Sequence, residues 1–214
     1  MDFIDLKILE YAESHSQEES QLLKELYIET HQKVLQPRMI SGHLQGRLLS
    51  LLSQLTRPKN ILEIGTYTGY ATICLAEGLA ENGTLHTIEL NEELIDFNQR
   101  YFQKSNFKNQ IICHHGDAKA LIPELDCFFD MVFMDADKAN YCHYFDLVLP
   151  KLTSGAILIA DNVLWSGKVL EEEIPIKDSE TRGLKEFNKK VMAEKKVENL
   201  LLPIRDGLMI CRKI

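Results

Sequence analysis

Four short apolar runs, each closing on an acidic or amide residue, constrain the fold of this chain more than any other feature. They read Asn60-Ile61-Leu62-Glu63, Thr84-Leu85-His86-Thr87-Ile88-Glu89, Phe129-Asp130-Met131-Val132-Phe133-Met134-Asp135 and Ala156-Ile157-Leu158-Ile159-Ala160-Asp161-Asn162. Parallel strands covered by helices on both faces have this near-continuous apolar character, and ligands of such sheets bind outside the carboxyl ends of the strands. The polar residues that end the runs are therefore expected to share one crevice.

Helical and strand periods alternate around these runs after an all-helical start. Apolar spacing of three and four predicts helices over 2–12 and 19–35, and a third from Ser41-Gly42 through Leu44, Leu48, Leu52 and Leu55 to a stop before Pro58. Next come a strand at 60–64, a helix at 70–81, a strand at 84–89, a helix at 91–104, a strand at 110–113 and a helix or turn at 118–124. A strand at 129–134, a helix at 138–149, a strand at 155–160, a long connection and a helix at 180–194 follow. Strand–helix alternation implies a parallel sheet with right-handed crossovers. The last two runs, 197–202 and 208–211, flank an Asp206-Gly207 turn signal and should pair as an antiparallel hairpin. The expected fold class is thus α/β, a seven-stranded mostly parallel sheet with a C-terminal hairpin. One domain is expected over 1–214, with helices of 1–57 packed on an α/β core at 58–214.

Composition narrows the function class. The chain has 214 residues, 45% of them apolar and 26% charged, enough for a substantial core. Its apolar stretches are strand-sized and soon interrupted by charge, so no membrane partner is expected. The first five residues, Met1 to Asp5, carry no basic region followed by an apolar one, and a cytoplasmic protein is the default. Five widely spaced cysteines without a Cys-x-x-Cys pair fit reduced thiols better than a disulfide framework or a zinc site. A net charge of −8 argues against nucleic acid, and the lysines of 185–196 alternate with acids as on a solvated helix face.

Three motifs carry chemistry. Leu62-Glu63-Ile64-Gly65-Thr66-Tyr67-Thr68-Gly69-Tyr70 leads a strand through a glycine-bearing turn into a helix N-terminus. It lacks the dinucleotide spacing, and an acid directly before the turn would repel a pyrophosphate but could hold an amino group. Glu89 ends the next strand, where a carboxylate reaches ribose hydroxyls in nucleotide-binding α/β folds. Each acid alone could be a solvated strand end, with Asn91 capping the next helix; in order on consecutive strands they suggest an adenosine-containing ligand with a cationic end. Met134-Asp135-Ala136-Asp137-Lys138 and Asp161-Asn162 supply the remaining motifs. Asp135, Asp161 and Asn162 offer only hard oxygen donors, which suit Mg²⁺, Mn²⁺ or Ca²⁺ and do not suit zinc. The plain alternative is a helix cap at Asp135 or Asp137 and a turn at Asp161-Asn162. His114-His115, at a strand edge with no neighbouring ligand, reads as structural.

The segments Glu63–Tyr70, Met134–Tyr141, Asp161–Gly167 and Asp206–Arg212 resemble the cation-dependent class I O-methyltransferases of the caffeoyl-CoA and catechol type, over nearly the whole chain. The resemblance implies the Rossmann-like class I methyltransferase fold, S-adenosylmethionine as cofactor, a divalent cation, a phenolic small-molecule acceptor and a homodimer through the N-terminal helices. It implies that Glu63, Gly65, Thr66, Ala71 and the turn near Ser41 hold the methionine part of the cofactor and Glu89 the ribose. Asp117 and Ala118 would border the adenine, and Asp135 and Asp137 would also touch the cofactor. Asp135, Asp161 and Asn162 match the metal ligands. Lys138 matches a general base, which with Asp135 forms the catalytic pair, provided the crevice lowers the lysine's pKa. Trp165 and Ser166 would contact the acceptor, Trp165 as a wall over the metal or simply as loop packing. Where plant caffeoyl-CoA enzymes carry Asp-Glu-Gly-Gln, this chain has Leu44-Gln45-Gly46-Arg47, and Ser166 replaces an asparagine; a CoA thioester acceptor is not supported. The expected activity is methylation of one hydroxyl of a vicinal dihydroxy aromatic. The alternatives are another small-molecule or modified-nucleoside hydroxyl, or a nucleotide-binding protein without catalysis.

Overall fold

The computed structural model describes residues 4–214; residues 2 and 3 of the first expected helix, and the start of the N-terminal segment read for a signal, lie outside the described residues. Helix α1 (Leu6–Ser14) is capped by Asp5, whose carboxylate accepts from the Lys7 N–H at 2.8 Å, and it buries no residue. Helix α2 (Gln21–Lys33) starts at a Ser20 cap and sinks Leu23 and Leu26 completely. Helix α3 (Gly42–Thr56) ends at Arg57 in the left-handed region, just before Pro58. Its buried face comprises Gln45, Gly46, Leu49, Ser50 and Ser53. Gly46 is required there because a Cβ would stand 2.7 Å from the Tyr70 ring.

The α/β part runs β1 (Asn60–Ile64), α4 (Tyr70–Ala76), β2 (Thr84–Glu89), α5 (Ile95–Lys104), β3 (Ile111–His115), α6 (Ala118–Glu124) and β4 (Phe129–Met134). It continues α7 (Tyr141–Val148), β5 (Leu152–Ala160), α8 (Ser179–Ala193), β6 (Val197–Leu202) and β7 (Leu208–Lys213). The sheet order is β3-β2-β1-β4-β5-β7-β6, with β1 to β5 parallel and β7 antiparallel to both its neighbours. The order reverses between β1 and β4, which is where sheets of this kind open a ligand crevice. Alternate side chains serve two cores. Leu62, Val132, Met134 and Leu158 pack toward α6, α7 and α8, while Ile61, Met131, Phe133 and Ile159 pack toward α2–α5.

The departures from expectation are local. The helix expected to 81 stops at Ala76, and Gly78 then passes so close to α3 that a Cβ would be 2.1 Å from the Ser53 carbonyl carbon. The helices expected from 91 and 138 open with single 3₁₀ turns at Glu92–Leu94 and Lys138–Asn140. Strand β5 begins three residues early and takes in a left-handed Gly155. All five cysteines are free. His114 stacks on His86 of the neighbouring strand, with ring nitrogens 2.9 Å apart, in keeping with a structural role. Among the described residues no helix is long and apolar enough to cross a membrane.

Candidate active site

The parallel registers bring the strand ends level. Ile64 pairs with Ile88 on one side and Met134 on the other, and Met134 pairs with Ala160. Three further rungs extend the sheet past its strands: Gly65 N–H to Ile88 O at 3.0 Å, Asp135 N–H to Ile64 O at 2.9 Å, and Asp161 N–H to Met134 O at 3.0 Å. The residues that follow, Glu89, Asp135 and Asp161, are thereby fixed along one edge. Gly65 has φ 95°, and a Cβ there would stand 2.1 Å from the Asp135 carbonyl oxygen, so only glycine lets the turn cross β4 so closely.

A cavity of about 1440 Å³ runs along this edge. Gly65, Glu89, Asp117, Ala118 and Asp137 line one part of it; Asp135, Lys138, Asp161, Asn162, Trp165 and Ser166 line the other. Glu89 is 8% exposed, and its carboxylate accepts from the Tyr67 N–H at 2.7 Å and the Asn91 N–H at 2.8 Å. Asp137 accepts from the Tyr144 hydroxyl at 2.5 Å and from the Asn140 amide. Asp117 caps α6, accepting from the Lys119 N–H.

Four expected cofactor residues, Ser41, Glu63, Thr66 and Ala71, are buried and do not line the cavity. Glu63 lies beneath its floor, wholly buried, with Oε2 accepting from the Thr72 and Thr87 hydroxyls at 2.5 and 2.6 Å and Oε1 unpartnered. Burial pushes this carboxyl up to about 8. Its contacts are thus to threonines of α4 and β2 through Oε2, while Oε1 is left without a donor.

The second part of the cavity crowds like charge. Asp161 is 4% exposed; burial first, and the nearby Asp135 charge second, push it up to about 6. Its Oδ1 accepts from the Asn162 N–H at 2.7 Å and its Oδ2 from Gln45 Nε2 at 2.6 Å. Lys138 Nζ donates to Asp135 Oδ1 at 2.7 Å and is 6% exposed, so it is no surface lysine. Burial, the largest single influence, works against its charge, but Asp135 and Tyr141 together outweigh it and the net shift is upward. This corrects the expectation that the crevice lowers the lysine's pKa.

Asn162, Trp165 and Ser166 all have left-handed backbones, with φ between 48° and 59°. Strain of this kind persists where surroundings over-determine it. Here the hairpin turn does so: Val163 and Leu164 N–H donate to the Gly207 and Asp206 carbonyls at 3.1 and 2.9 Å, and Asp206 also accepts from the Ser166 N–H.

Among the described residues no group of three or more His, Cys, Asp or Glu is arranged to hold a metal. The candidate set is two carboxylates and an amide, which with solvent and acceptor oxygens fits a hard divalent cation. The raised Asp161 pKa agrees with that fit, since two acids share a buried place that one ammonium only partly neutralises. The sequence reading passed over Gln45, Arg205, Asp206, Tyr67 and Tyr144. Gln45 left no signal, because it lies beside the leucine stripe of α3 on a buried face made mostly of small and polar residues, and Tyr67 acts through its backbone and leaves none.

A family profile described as O-methyltransferase matches residues 13–214. The chain belongs to the O-methyltransferase family. It is 36% identical over 162 residues to a catechol O-methyltransferase of Niastella koreensis, covering 74% of this chain and 72% of that one. It is 32% identical to caffeoyl-CoA O-methyltransferase 1 of Zea mays, covering 79% and 70%. An O-methyltransferase of Bacillus cereus, solved in complex with SAH, superposes with a TM-score of 0.90 at 28% identity, covering 96% of each chain. The O-methyltransferase TomG of Streptomyces achromogenes, solved with SAM, gives 0.89 at 29% identity, covering 95% and 94%. This O-methyltransferase is therefore an enzyme, and the reading as a binding protein without catalysis is set aside.

Proposed function

We propose that this O-methyltransferase moves the methyl group of S-adenosylmethionine to one hydroxyl of a vicinal dihydroxy aromatic, with a divalent cation held by Asp135, Asp161 and Asn162. The observation that carries the reading is the continuity of one cavity from Glu89 to Asp161 and Asn162. The SAM- and SAH-bound neighbours support the cofactor, and the catechol and caffeoyl-CoA relatives support the acceptor class. When bound, the cation, Mg²⁺ or alternatively Mn²⁺ or Ca²⁺, would act as a Lewis acid toward the two acceptor oxygens.

The chain's own residues do the rest. Glu89, pre-oriented by two backbone N–H groups, has free lone pairs for the ribose hydroxyls. Asp117 and Ala118 border the adenine, Asp135 and Asp137 also touch the cofactor, and Glu63, Gly65, Thr66, Ala71 and the turn near Ser41 hold the methionine part. Trp165 and Ser166 wall the acceptor on the far side. Lys138 Nζ, fixed against Asp135 as an ammonium, would take the hydroxyl proton only after giving up one of its own, a loss that a cation balancing that aspartate would favour. Displacement at the sulfonium methyl is accelerated mainly by holding oxygen, methyl and sulfur in line. A phenolic acceptor needs no nucleic acid or membrane partner. A homodimer would cover Leu6, Ile8 and Tyr11, all more than half exposed on α1, and a cytoplasmic location agrees with five free thiols.

An acceptor screen with methyl-labelled cofactor, run with and without EDTA, tests the reading. Methylated catechol that vanishes with chelator is expected; full activity in protein verified to be metal-free overturns the cation role.

A further inference from the structure

A polar chain runs from Asp161 through buried Gln45 to Arg205 at the rim of the cavity, and the reaction outlined above gives it no part. Gln45, 1% exposed, reaches from α3 across 116 residues of sequence to donate from Nε2 to Asp161 Oδ2. Arg205, in the turn between β6 and β7, donates from Nη1 to Gln45 Oε1 at 3.1 Å and from Nη2 to the Ile40 carbonyl at 3.3 Å. A guanidinium has no acceptor, so it can face only the amide oxygen, and that fixes which end of Gln45 meets the carboxylate. With Asn162 N–H on Oδ1 and Gln45 on Oδ2, both Asp161 oxygens are held while each keeps a lone pair toward the cavity.

The residue type fits the place. A glutamate at 45 would add a third carboxylate to Asp135 and Asp161 and has no proton to donate. A lysine would add a second ammonium beside Lys138 and oppose a cation. The neutral amide donates to the aspartate and itself brings no charge to the place.

We infer that Gln45, oriented by Arg205, is a positioning residue that sets the Asp161 carboxylate for a divalent cation; this rests on the cation reading above. Partners that orient a metal ligand from behind typically contribute ten- to a hundred-fold in affinity, about the size expected here. An amide that merely fills space would change stability and leave metal affinity alone.

The test titrates Mn²⁺ alone into metal-stripped, full-length protein, and S-adenosylhomocysteine in a separate titration. Gln45→Leu should weaken Mn²⁺ binding about ten-fold or more with S-adenosylhomocysteine affinity retained. Arg205→Ala should weaken it less, and should add nothing in the Gln45→Leu background, because it acts through the same amide. Parental Mn²⁺ affinity in Gln45→Leu overturns the inference, and so does an Arg205→Ala effect that adds in full to it. If Gln45→Leu does not fold, Arg205→Ala, which trims an exposed side chain, decides alone: unchanged Mn²⁺ affinity overturns the inference. A parent protein that takes up no Mn²⁺ overturns the cation reading and this inference with it, whereas equal binding by parent and variants overturns only the inference.

Discussion

Glu89 and Asp161 end strands of the same sheet and are almost equally buried, yet their surroundings differ in kind. Glu89 is held by two backbone N–H groups, which carry no net charge and cannot move away. Asp161 faces a second carboxylate, and besides the Asn162 N–H the groups on the pair are two buried side chains, Lys138 on Asp135 and Gln45 on Asp161 itself. Fixed dipoles suit a carboxylate whose partner is always a pair of neutral hydroxyls. Crowded acids that share one ammonium suit a place where charge arrives from outside. On the proposed function, the chain alone completes one end of the crevice and leaves the other to a cation.

The predictions probe that contrast, starting with its strongest consequence. Asp161→Ala and Asn162→Ala should abolish chelator-sensitive methyl transfer to a catechol while S-adenosylhomocysteine affinity, measured by calorimetry, is largely spared. Equal loss of both would mean that the two ends are not separable. Next, Lys138→Ala should lower kcat by about 10²-fold at neutral pH with partial recovery at higher pH, where more of the acceptor hydroxyl is already ionised. A near-normal kcat, measured where chemistry limits the rate, would leave Lys138 only its ion pair with Asp135. Third, Glu89→Ala should weaken S-adenosylhomocysteine by about 1–3 kcal/mol through lost charge-assisted hydrogen bonds, and NADH should not compete. Tighter binding of NADH than of S-adenosylhomocysteine would overturn the assignment of that end.

The smallest effect is a control from outside the crevice. Glu29 on α2 accepts from the Tyr101 hydroxyl at 2.5 Å, Lys33 at 2.9 Å and Arg100 at 2.8 Å, and these donors hold it down to about 2. A depressed folded-state pKa stabilises above the ordinary carboxylate value, and that stability is lost as pH falls from about 4.5 toward 2. Glu29→Gln should therefore cost about 1 kcal/mol at pH 7 and less near pH 3, with methyl transfer unaffected. Thermal unfolding at the two pH values checks this; an equal difference at both would remove the charge from the explanation.

The strand ends were legible in the sequence because burial on both faces forces apolar runs, and a run can stop only where the chain meets water or a ligand. The order of motifs then gave the family, and Glu89, Asp135, Lys138, Asp161 and Asn162 line the one cavity. The burial of Glu63 was not legible: an acid before a glycine turn reads as an open strand end, and only the fold shows it wholly enclosed with the Thr72 and Thr87 hydroxyls on Oε2. The charge state of Lys138 was equally hidden, since burial and Asp135 act in opposite directions and the outcome depends on a 2.7 Å contact. Gln45 and Arg205 meet across 160 residues, a pairing that no local pattern encodes.

The sheet's last strand has a consequence for assembly. Because β7 lies between β5 and β6, β6 joins the sheet only through a strand that follows it in the chain. The turn carried by that hairpin also supplies Arg205 and anchors the loop bearing Trp165 and Ser166. The loop that faces the cavity is therefore held by the last residues of the chain, and a chain cut before β7 should lose that anchor together with the place of β6 in the sheet.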